Sequence, residues 1–310
     1  MALHPDLKKF FESLPESDPN QKLIPEEQRK FMNAPVMPLE KRVQVHEVED
    51  RLVPTAEGNV PIRIYTPVKK DVYPILLYFH GGAFFSGNLE SHDEIVRPIT
   101  IESGYKVIAV DFRLAPEHPY PAALEDCYNV AKWVSENHKE LDWDGENLAV
   151  AGDSSGGNIA AAVSLLARQK KEFPLTKQVL FYPSLDLDFG DISRYPSLSE
   201  NRKGYGLETD ALPAFNSFYL SGGADPRDPL LSPIFEENLE NLPVALVITA
   251  EHDPLRDEGE LYAEKLKKAG IRVEKKRYDG VVHGFLAKWT HLEEYAGVYE
   301  LTGNFLKKDL

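Results

Sequence analysis

Ser154 occupies the centre of a Gly-x-Ser-x-Gly sequence, with Gly152 and Gly156 on either side. The short apolar run that ends at Ala151 is typical of a buried strand, and the residues from Ile159 onward favour a helix. A strand that turns directly into a helix bends sharply, and the flanking glycines let the two elements approach closely. Such a turn holds a serine hydroxyl at the carboxyl edge of a sheet, above the N–H groups of a helix N-terminus, as acyl transfer requires.

A serine hydroxyl is a weak nucleophile unless a base removes its proton, and the chain has nine histidines to choose from. His283 lies in a glycine-flanked loop directly after the last predicted strand, so we expect it at the same sheet edge as Ser154. His80 also ends a predicted strand, but the two glycines after it indicate a different task. We predict His283 as the base, and the alternative is a structural histidine with satisfied hydrogen bonds.

A histidine base needs a carboxylate that fixes its tautomer and balances the imidazolium charge. Asp253 lies in the loop between the predicted strand Val244–Thr249 and a helix. Glu251 is the nearest competitor, whereas Asp257 and Glu258 fall in the first helical turn, where acidic residues commonly complement the helix dipole. We predict Asp253 as the partner of the base, and the alternative is a helix N-cap.

Two consecutive glycines, Gly81 and Gly82, follow the predicted buried strand Pro74–Phe79. Glycines expose backbone N–H groups to a ligand without obstruction by side chains. An isolated pair of glycines usually marks only a turn, but this pair stands at a strand end that meets the predicted serine turn. We predict that the N–H groups of Gly81, Gly82 and Ser155 form an oxyanion hole.

The elements that hold these side chains alternate between strand and helix along the chain. Most of the apolar runs are continuous, as in strands buried on both faces, and the pattern predicts a mostly parallel sheet with helices on both faces. The first two strands alternate apolar and polar residues around a Glu57-Gly58-Asn59 turn and predict an antiparallel pair. The eight predicted strands are Val43–Val53, Val60–Tyr65, Pro74–Phe79, Lys106–Phe112, Leu148–Ala151, Gln178–Tyr182, Val244–Thr249 and Arg272–Tyr278.

Two regions do not fit this alternation. Residues 1–40 contain two short helices limited by prolines, and residues 186–228 contain one clear helix and no strand-like run. We predict that they form an N-terminal arm and an inserted segment of a helical cap. This cap is expected to cover the carboxyl edge of a catalytic domain made of residues 41–185 and 229–310. The predicted helices of the two regions are Pro5–Phe11, Pro25–Met32 and Glu208–Leu220.

The composition restricts the class of partner and the compartment. The formal net charge of −15 repels the phosphate backbone of a nucleic acid. The sequence has no apolar run as long as a membrane span, and its first residues, MALHPDLKKFFES, lack the apolar core of a secretory signal. The single cysteine, Cys127, excludes an intramolecular disulfide and is expected to be buried in the predicted helix Pro121–Glu136. We therefore expect a soluble cytoplasmic protein without nucleic-acid partner or membrane span.

Three motifs are similar to ligand-binding sequences, but the spacing of their residues does not match any of them. Residues 186–191 are similar to a calcium loop, but glycine is not at the sixth position and Ser197 stands at the twelfth. Residues 152–157 are not a P-loop, because no Lys-Ser or Lys-Thr follows. Residues 251–253 lack a second pair of metal ligands of the His-Glu-x-x-His kind. We expect no metal.

Five segments, in their order along the chain, resemble the hormone-sensitive-lipase-like family of carboxylesterases. The resemblance implies an α/β-hydrolase fold with a helical cap and no cofactor. By motif position it assigns nucleophile, acid and base to Ser154, Asp253 and His283, the order found in α/β-hydrolases, and the oxyanion donors to the three amides predicted above. The segments are His80–Phe84, Asp111–Ala122, Gly152–Asn158, Asp253–Glu258 and His283–Phe285.

The chain departs from the pattern of this family at two positions. Ala83 stands where the family usually has a third glycine, and its side chain alters the expected conformation of the loop and the preference for hindered alcohols. Ser155 stands where the family usually has alanine. Because its backbone N–H is retained, we expect this second departure to have little effect.

Together these features predict a serine carboxylesterase that acts on uncharged esters. The family resemblance implies short to medium acyl chains, because a cap limits the length of the pocket. We expect Phe84, Phe85 and Phe215 to form walls of this pocket. The alternatives are an amidase or peptidase with the same triad, and a non-catalytic ligand-binding protein. The last predicted strand, with several Lys and Arg residues, is a candidate sheet edge for a homodimer, although its charges equally suit an edge protected against pairing.

Overall fold

The computed structural model describes residues 2–14, 23–34 and 37–309. Its helices and strands are α1 (Pro5–Ser13), α2 (Pro25–Met32), β1 (Glu47–Thr55), β2 (Gly58–Thr66), β3 (Tyr73–Phe79), α3 (Leu89–Ser103), β4 (Lys106–Val110), α4 (Ala122–Glu136), β5 (Trp143–Asp153), α5 (Ser155–Lys170), β6 (Lys177–Phe181), α6 (Pro196–Glu200), α7 (Leu212–Tyr219), β7 (Val244–His252), α8 (Arg256–Lys268), β8 (Val273–Val282), α9 (Phe285–Lys288) and α10 (Glu293–Lys307).

Within the described residues, eight strands form one sheet in the order β1-β2-β4-β3-β5-β6-β7-β8. Strand β2 runs antiparallel to both of its neighbours, β1 and β4, and the remaining pairs are parallel. This mostly parallel sheet confirms the predicted fold class. Strand β8 lies at one edge of the sheet, and the carboxyl ends of β3, β5 and β7 open toward the same side.

The central strands are buried because helices cover both faces of the sheet. In β3, Ile75 and Leu77 pack into the core on one face, with α4 and α5, whereas Leu76 and Tyr78 pack into the core on the other face, with α3 and α10. A strand buried on both faces has no need for polar positions, which explains its continuous apolar run. Cys127 is buried in α4, as the sequence predicted.

The inserted region after β6 differs from its prediction. The single helix expected over residues 208–220 is a short helix, α7, between two 3-10 turns at Thr209–Ala211 and Leu220–Gly222. Pro213 lies in the first turn of α7, where its missing N–H costs nothing, whereas the interior of a longer helix does not accommodate it. The helix α10 had no sequence-based prediction.

The predicted division into arm, catalytic domain and inserted cap segment stays a prediction. Of the predicted arm, residues 1, 15–22, 35 and 36 lie outside the described residues, as does residue 310 of the catalytic domain. Among the residues that are described, none of the helices combines the length and the apolar character needed to cross a membrane.

Candidate active site

Three side chains that are far apart in the sequence meet beyond the carboxyl ends of β5, β7 and β8. The Oγ of Ser154 lies 2.9 Å from Nε2 of His283, and Nδ1 of His283 lies 2.8 Å from Oδ2 of Asp253. With its proton on Nδ1, the imidazole donates to the carboxylate and accepts the hydroxyl proton of the serine on Nε2. This arrangement can withdraw the proton from the hydroxyl as its oxygen attacks an electrophile.

Ser154 sits in a strained turn between β5 and α5, with φ 54° and ψ −119°. Its N–H donates to the carbonyl of Phe181, which holds the turn against the end of β6. The flanking glycines are required by close packing: a Cβ on Gly152 would lie 2.2 Å from the carbonyl oxygen of Gly156. A Cβ on Gly156 would lie 2.0 Å from the carbonyl oxygen of Phe79 in β3. The sequence pattern around the serine therefore has the steric cause that was predicted.

Asp253 is fully buried, and both of its carboxylate oxygens are engaged. Oδ1 accepts the N–H of Leu255 at 2.8 Å, while Oδ2 faces His283. The aspartate thus shapes the turn before α8 and contacts the imidazole, whereas the N-cap of α8 is Leu255, without a side-chain cap, so Asp253 is not the helix N-cap of the alternative interpretation. The competitor Glu251 accepts the N–H of Gly280 at 2.7 Å, at the end of β8.

Tyr182 is a residue of this site that the sequence analysis missed. Its buried ring packs edge-on against the imidazole of His283, with ring centroids 4.9 Å apart. It follows directly after β6 and has a positive φ of 35°. The signal that points to it is its position at the carboxyl end of a parallel strand, the edge where His283 was already expected.

The loop after β3 presents amide groups to the same cavity, but Gly81 does not contribute as predicted. The N–H of Gly81 donates to Oδ1 of Asp153 at 2.9 Å, and it also lies 3.2 Å from Nε2 of His92. The prediction of Gly81 as an oxyanion donor is therefore wrong, because a buried carboxylate already occupies its N–H. In the described part of the chain, the N–H groups of Gly82 and Ala83 meet no hydrogen-bond acceptor, and both residues line the cavity.

Ser155 adds a further amide at the beginning of α5. The first N–H groups of a helix have no partner within the helix, and this one directly follows the serine of the turn. The amides available to a developing oxyanion are therefore those of Gly82, Ala83 and Ser155.

Asp153 holds the loop through a buried charge. Its carboxylate accepts hydrogen bonds from the Tyr78 hydroxyl at 2.7 Å and from the N–H of Gly81, and it lies 3.5 Å from Nε2 of His92. Burial opposes ionisation, but the neighbouring His92 and these hydrogen bonds hold the pKa of Asp153 below its ordinary value. The carboxylate therefore stays charged and keeps the N–H of Gly81 occupied. The sequence analysis did not identify His92, which lines the cavity from α3.

A cavity of about 410 Å³ opens over Ser154 and His283. Phe85 and Phe215, two of the three predicted walls of the substrate pocket, are among the residues that line it. Phe84 does not line it: its ring stacks on the ring of Tyr219, with centroids 4.0 Å apart, within the hydrophobic core. The prediction of Phe84 as a wall is wrong because its backbone, with φ 64°, directs the ring toward the core. Further apolar lining residues are Phe31, Met32 and Leu207.

Comparison with known proteins shows which family this chain belongs to. Residues 76–287 match a protein family that is described as having the alpha/beta hydrolase fold. The chain belongs to this family. An arylesterase of Saccharolobus solfataricus is 41% identical over 243 residues, which cover 78% of each protein. An ethyl acetate hydrolase of Pseudomonas putida is 33% identical over 306 residues, which cover 95% of each protein.

A solved esterase structure is also similar to this α/β hydrolase along almost its whole length. The hyperthermophilic esterase of the archaeon Pyrobaculum calidifontis has a TM-score of 0.89 and 38% sequence identity, over 99% of this chain and 98% of that chain. The resemblance to hormone-sensitive-lipase-like carboxylesterases that the motifs indicated is confirmed.

The helix α2 of the hydrolase is tied directly to the loop that carries the amide donors. The guanidinium of Arg29 binds both carboxylate oxygens of Glu117, at 2.8 and 2.6 Å, and also donates to the carbonyl of Ala115 at 2.6 Å. Asn33, just after α2, accepts the N–H of Gly87 at 2.7 Å. These contacts explain how Phe31 and Met32 are held at the mouth of the cavity.

Proposed function

We propose that this hydrolase cleaves short- to medium-chain carboxylic esters through an acyl-enzyme intermediate on Ser154. The chain is a carboxylic ester hydrolase, the class of its relatives named arylesterase and ethyl acetate hydrolase. The observation that carries the mechanism is the unbroken series of hydrogen bonds from Ser154 through His283 to Asp253, at 2.9 and 2.8 Å. The same cavity is lined by Ser154 and by the loop with unoccupied amide donors.

Acylation begins when Ser154 Oγ attacks the carbonyl carbon of the ester and His283 Nε2 accepts the hydroxyl proton. Asp253 stabilises the imidazolium that forms. The carbonyl oxygen becomes an oxyanion, and the three amide donors bind it more strongly than they bind the neutral carbonyl of the ground state. This differential binding lowers the barrier.

The tetrahedral intermediate then collapses. His283 donates the proton to the leaving alkoxide oxygen, so that an alcohol departs and the acyl group stays on Ser154. A water molecule attacks the acyl carbon while His283 accepts its proton, and a second collapse releases the carboxylic acid and restores the hydroxyl of Ser154. The two half-reactions balance without a cofactor.

The cavity supports a substrate with a compact, uncharged acyl group. Its volume is about 410 Å³, and its walls near the hydroxyl are largely aromatic or aliphatic. An apolar wall stabilises an acyl chain by burying it. A relative named for ethyl acetate agrees with a small substrate.

We also propose that a second copy of the chain pairs along β8 and that the enzyme works in the cytoplasm. Strand β8 lies at the sheet edge, and its Lys275 and Arg277 bind Glu264 and Glu260 of the same chain. Their charges are therefore balanced within one subunit. A single cysteine suits a reducing compartment. A monomer mass in sedimentation would reject the dimer, and cell fractionation tests the location.

Hydrolysis of p-nitrophenyl butyrate by wild type and by Ser154→Ala tests the reaction. We expect the variant to lose kcat by about 10⁴-fold or more while its thermal unfolding stays close to wild type. Near wild-type turnover by Ser154→Ala would sink the mechanism. A faster rate on the matched p-nitroanilide would instead favour an amidase, and failure of a phosphonate to label Ser154 would favour a non-catalytic binding protein.

Chain-length preference needs its own series of p-nitrophenyl esters, from acetate to palmitate. We expect kcat/KM to be highest for the short and medium chains and to fall for the longest, because the cavity, lined by side chains of α2 and α7, has a volume of only about 410 Å³. A rate that keeps rising toward emulsified long-chain esters would contradict the size limit.

A further inference from the structure

The hydroxyl of Ser155 has a contact that its sequence position does not suggest, and this contact argues against the expectation that a serine in place of the family's usual alanine has little effect. The side chain is 1% exposed, and its Oγ accepts the N–H of Phe84 at 3.2 Å. The carbonyl of Phe84 accepts the N–H of Ala115 at 2.9 Å, and its ring stacks on Tyr219 at 4.0 Å. Phe84 is thus held at its amide, its carbonyl and its ring. The hold on its amide comes from the residue next to the nucleophile.

The loop that is held in this way has an unfavourable backbone conformation. Ala83 and Phe84 have φ angles of 52° and 64°, in the left-handed region that L-residues other than glycine rarely adopt. Gly82, just before them, has φ 122°. Gly82 and Ala83 both line the cavity, and their amides meet no acceptor in the part of the chain that is described. The cost of one left-handed alanine and the net contribution of one buried hydrogen bond are of similar size, so that the second can offset the first.

We propose that Ser155 is a positioning residue of the oxyanion hole, whose hydroxyl offsets the backbone strain of Ala83. The backbone N–H of Ser155 is one donor of the hole, and its Oγ fixes the loop that carries the other two. One residue of α5 therefore sets the distance between the two groups of donors. This inference rests on the proposed function.

The consequence of removing the hydroxyl follows from these contacts. In Ser155→Ala the N–H of Phe84 becomes a buried donor without an acceptor, and the loop relaxes away from its left-handed conformation. The amides of Gly82 and Ala83 then lie out of line with the oxyanion. Because these donors act mainly in the transition state, the loss falls on kcat and leaves KM nearly unchanged.

The first experiment compares wild type, Ser155→Ala and Ser164→Ala on p-nitrophenyl butyrate. Ser164 is a matched control, since it is a buried serine of the same helix whose hydroxyl donates to the carbonyl of Ala160. We expect Ser155→Ala to lower kcat about tenfold with KM within about twofold, and to weaken a trifluoromethyl ketone inhibitor by the same factor. Ser164→Ala should change neither. An unchanged kcat in Ser155→Ala would overturn the inference.

The second experiment tests directly whether the hydroxyl of Ser155 offsets the backbone strain of Ala83. Ala83→Gly removes the strain at φ 52° and leaves that of Phe84 at φ 64°, so that Ser155→Ala in that background should lower kcat by clearly less than the roughly tenfold expected in wild type. If the fold-changes in kcat of Ala83→Gly and Ser155→Ala simply multiply in the double variant, the offset is overturned. If Ser155→Ala does not fold, Ser155→Cys replaces it: a weaker acceptor of similar shape should give an intermediate kcat, and a wild-type kcat would overturn the inference.

These outcomes separate this inference from the proposed function. Ester hydrolysis by wild type that disappears in Ser154→Ala, together with full activity in Ser155→Ala, rejects the inference alone. A wild type that hydrolyses no ester rejects both. Melting temperatures of every variant distinguish a general loss of structure from a loss confined to kcat.

Discussion

The guanidinium Nε of Arg29 lies 2.5 Å from the carbonyl oxygen of Phe85 and donates a hydrogen bond to it. One side chain of α2 thereby fastens the N-terminal arm to the loop that follows β3. The same guanidinium forms a two-point ion pair with Glu117, so its position is well defined. The same side chain, Arg29, consequently holds both the wall of the cavity and the loop with the amide donors in place.

Arg29→Ala is expected to raise KM several-fold for a butyrate ester, with a smaller change in kcat. Without the guanidinium, α2 loses its contacts to Phe85 and Glu117, and the wall formed by Phe31 and Met32 loosens. Steady-state kinetics measure the effect. Arg202→Ala is the control, because it removes an exposed ion pair with Asp210 and should leave both constants unchanged. Equal effects of the two variants on KM would contradict the role of Arg29 in holding α2 in place.

Asp253→Asn is expected to lower kcat by about 10³- to 10⁴-fold without unfolding the protein. An asparagine keeps an acceptor for the N–H of Leu255, but its amide stabilises the wrong tautomer of His283. Kinetics and thermal unfolding, measured together, separate the two effects. In the control Glu251→Gln, an acceptor for the N–H of Gly280 remains and most of kcat should survive. The reverse ranking of these variants would point to Glu251 as the partner of the base.

Phe215→Ala is expected to shift the preferred acyl chain to greater length and to lower kcat/KM for butyrate about tenfold. Its matched control is Phe218→Ala, since both residues lie on α7 and pack against Phe85, with ring centroids 5.6 and 5.1 Å away. Of the two, Phe215 lines the cavity. A p-nitrophenyl ester series measures the preference. The same shift in both variants would indicate a general loosening of α7.

Asp111→Asn is expected to stabilise the protein at pH 8 and to have no such effect at pH 4. Burial, with a small contribution from the charge of Asp50, raises the pKa of Asp111 to about 6. The folded state therefore binds more protons than the unfolded state between about pH 4 and 6, and stability is lost as the pH rises through this window. Asparagine carries no charge and avoids this loss.

Thermal unfolding of wild type and Asp111→Asn at pH 8 and pH 4 tests the direction of this dependence of stability on pH. The melting temperature of the variant should exceed that of wild type at pH 8 and match it at pH 4. Asp210→Asn, an exposed carboxylate paired with Arg202, should show a small change at both. A variant that is destabilised at pH 8 would mean that the charge of Asp111 supports the fold.

Much of the fold and the three side chains of the candidate triad could be identified from the sequence. The turn around Ser154 has a local sequence signature, because backbone atoms dictate its glycines by steric exclusion: those of Gly156 at Gly152, and those of Phe79 in the neighbouring strand at Gly156. Asp253 and His283 were identified because each follows a predicted strand, and parallel strands end at one edge of a sheet. These features are readable because they depend on local geometry and on strand direction.

The tertiary structure alone decided which amides face the cavity and where each aromatic ring points. Gly81 and Asp153 are 72 positions apart, and Phe84 and Ser155 are 71 apart, yet their hydrogen bonds occupy one amide and hold the next residues in place. Phe84 and Phe85 are adjacent in the sequence and both are buried in the core, but of the two Phe85 also lines the cavity, whereas the ring of Phe84 stacks on Tyr219. Residue type indicates that a loop is able to bend, whereas the direction of each N–H depends on partners that only folding brings within reach.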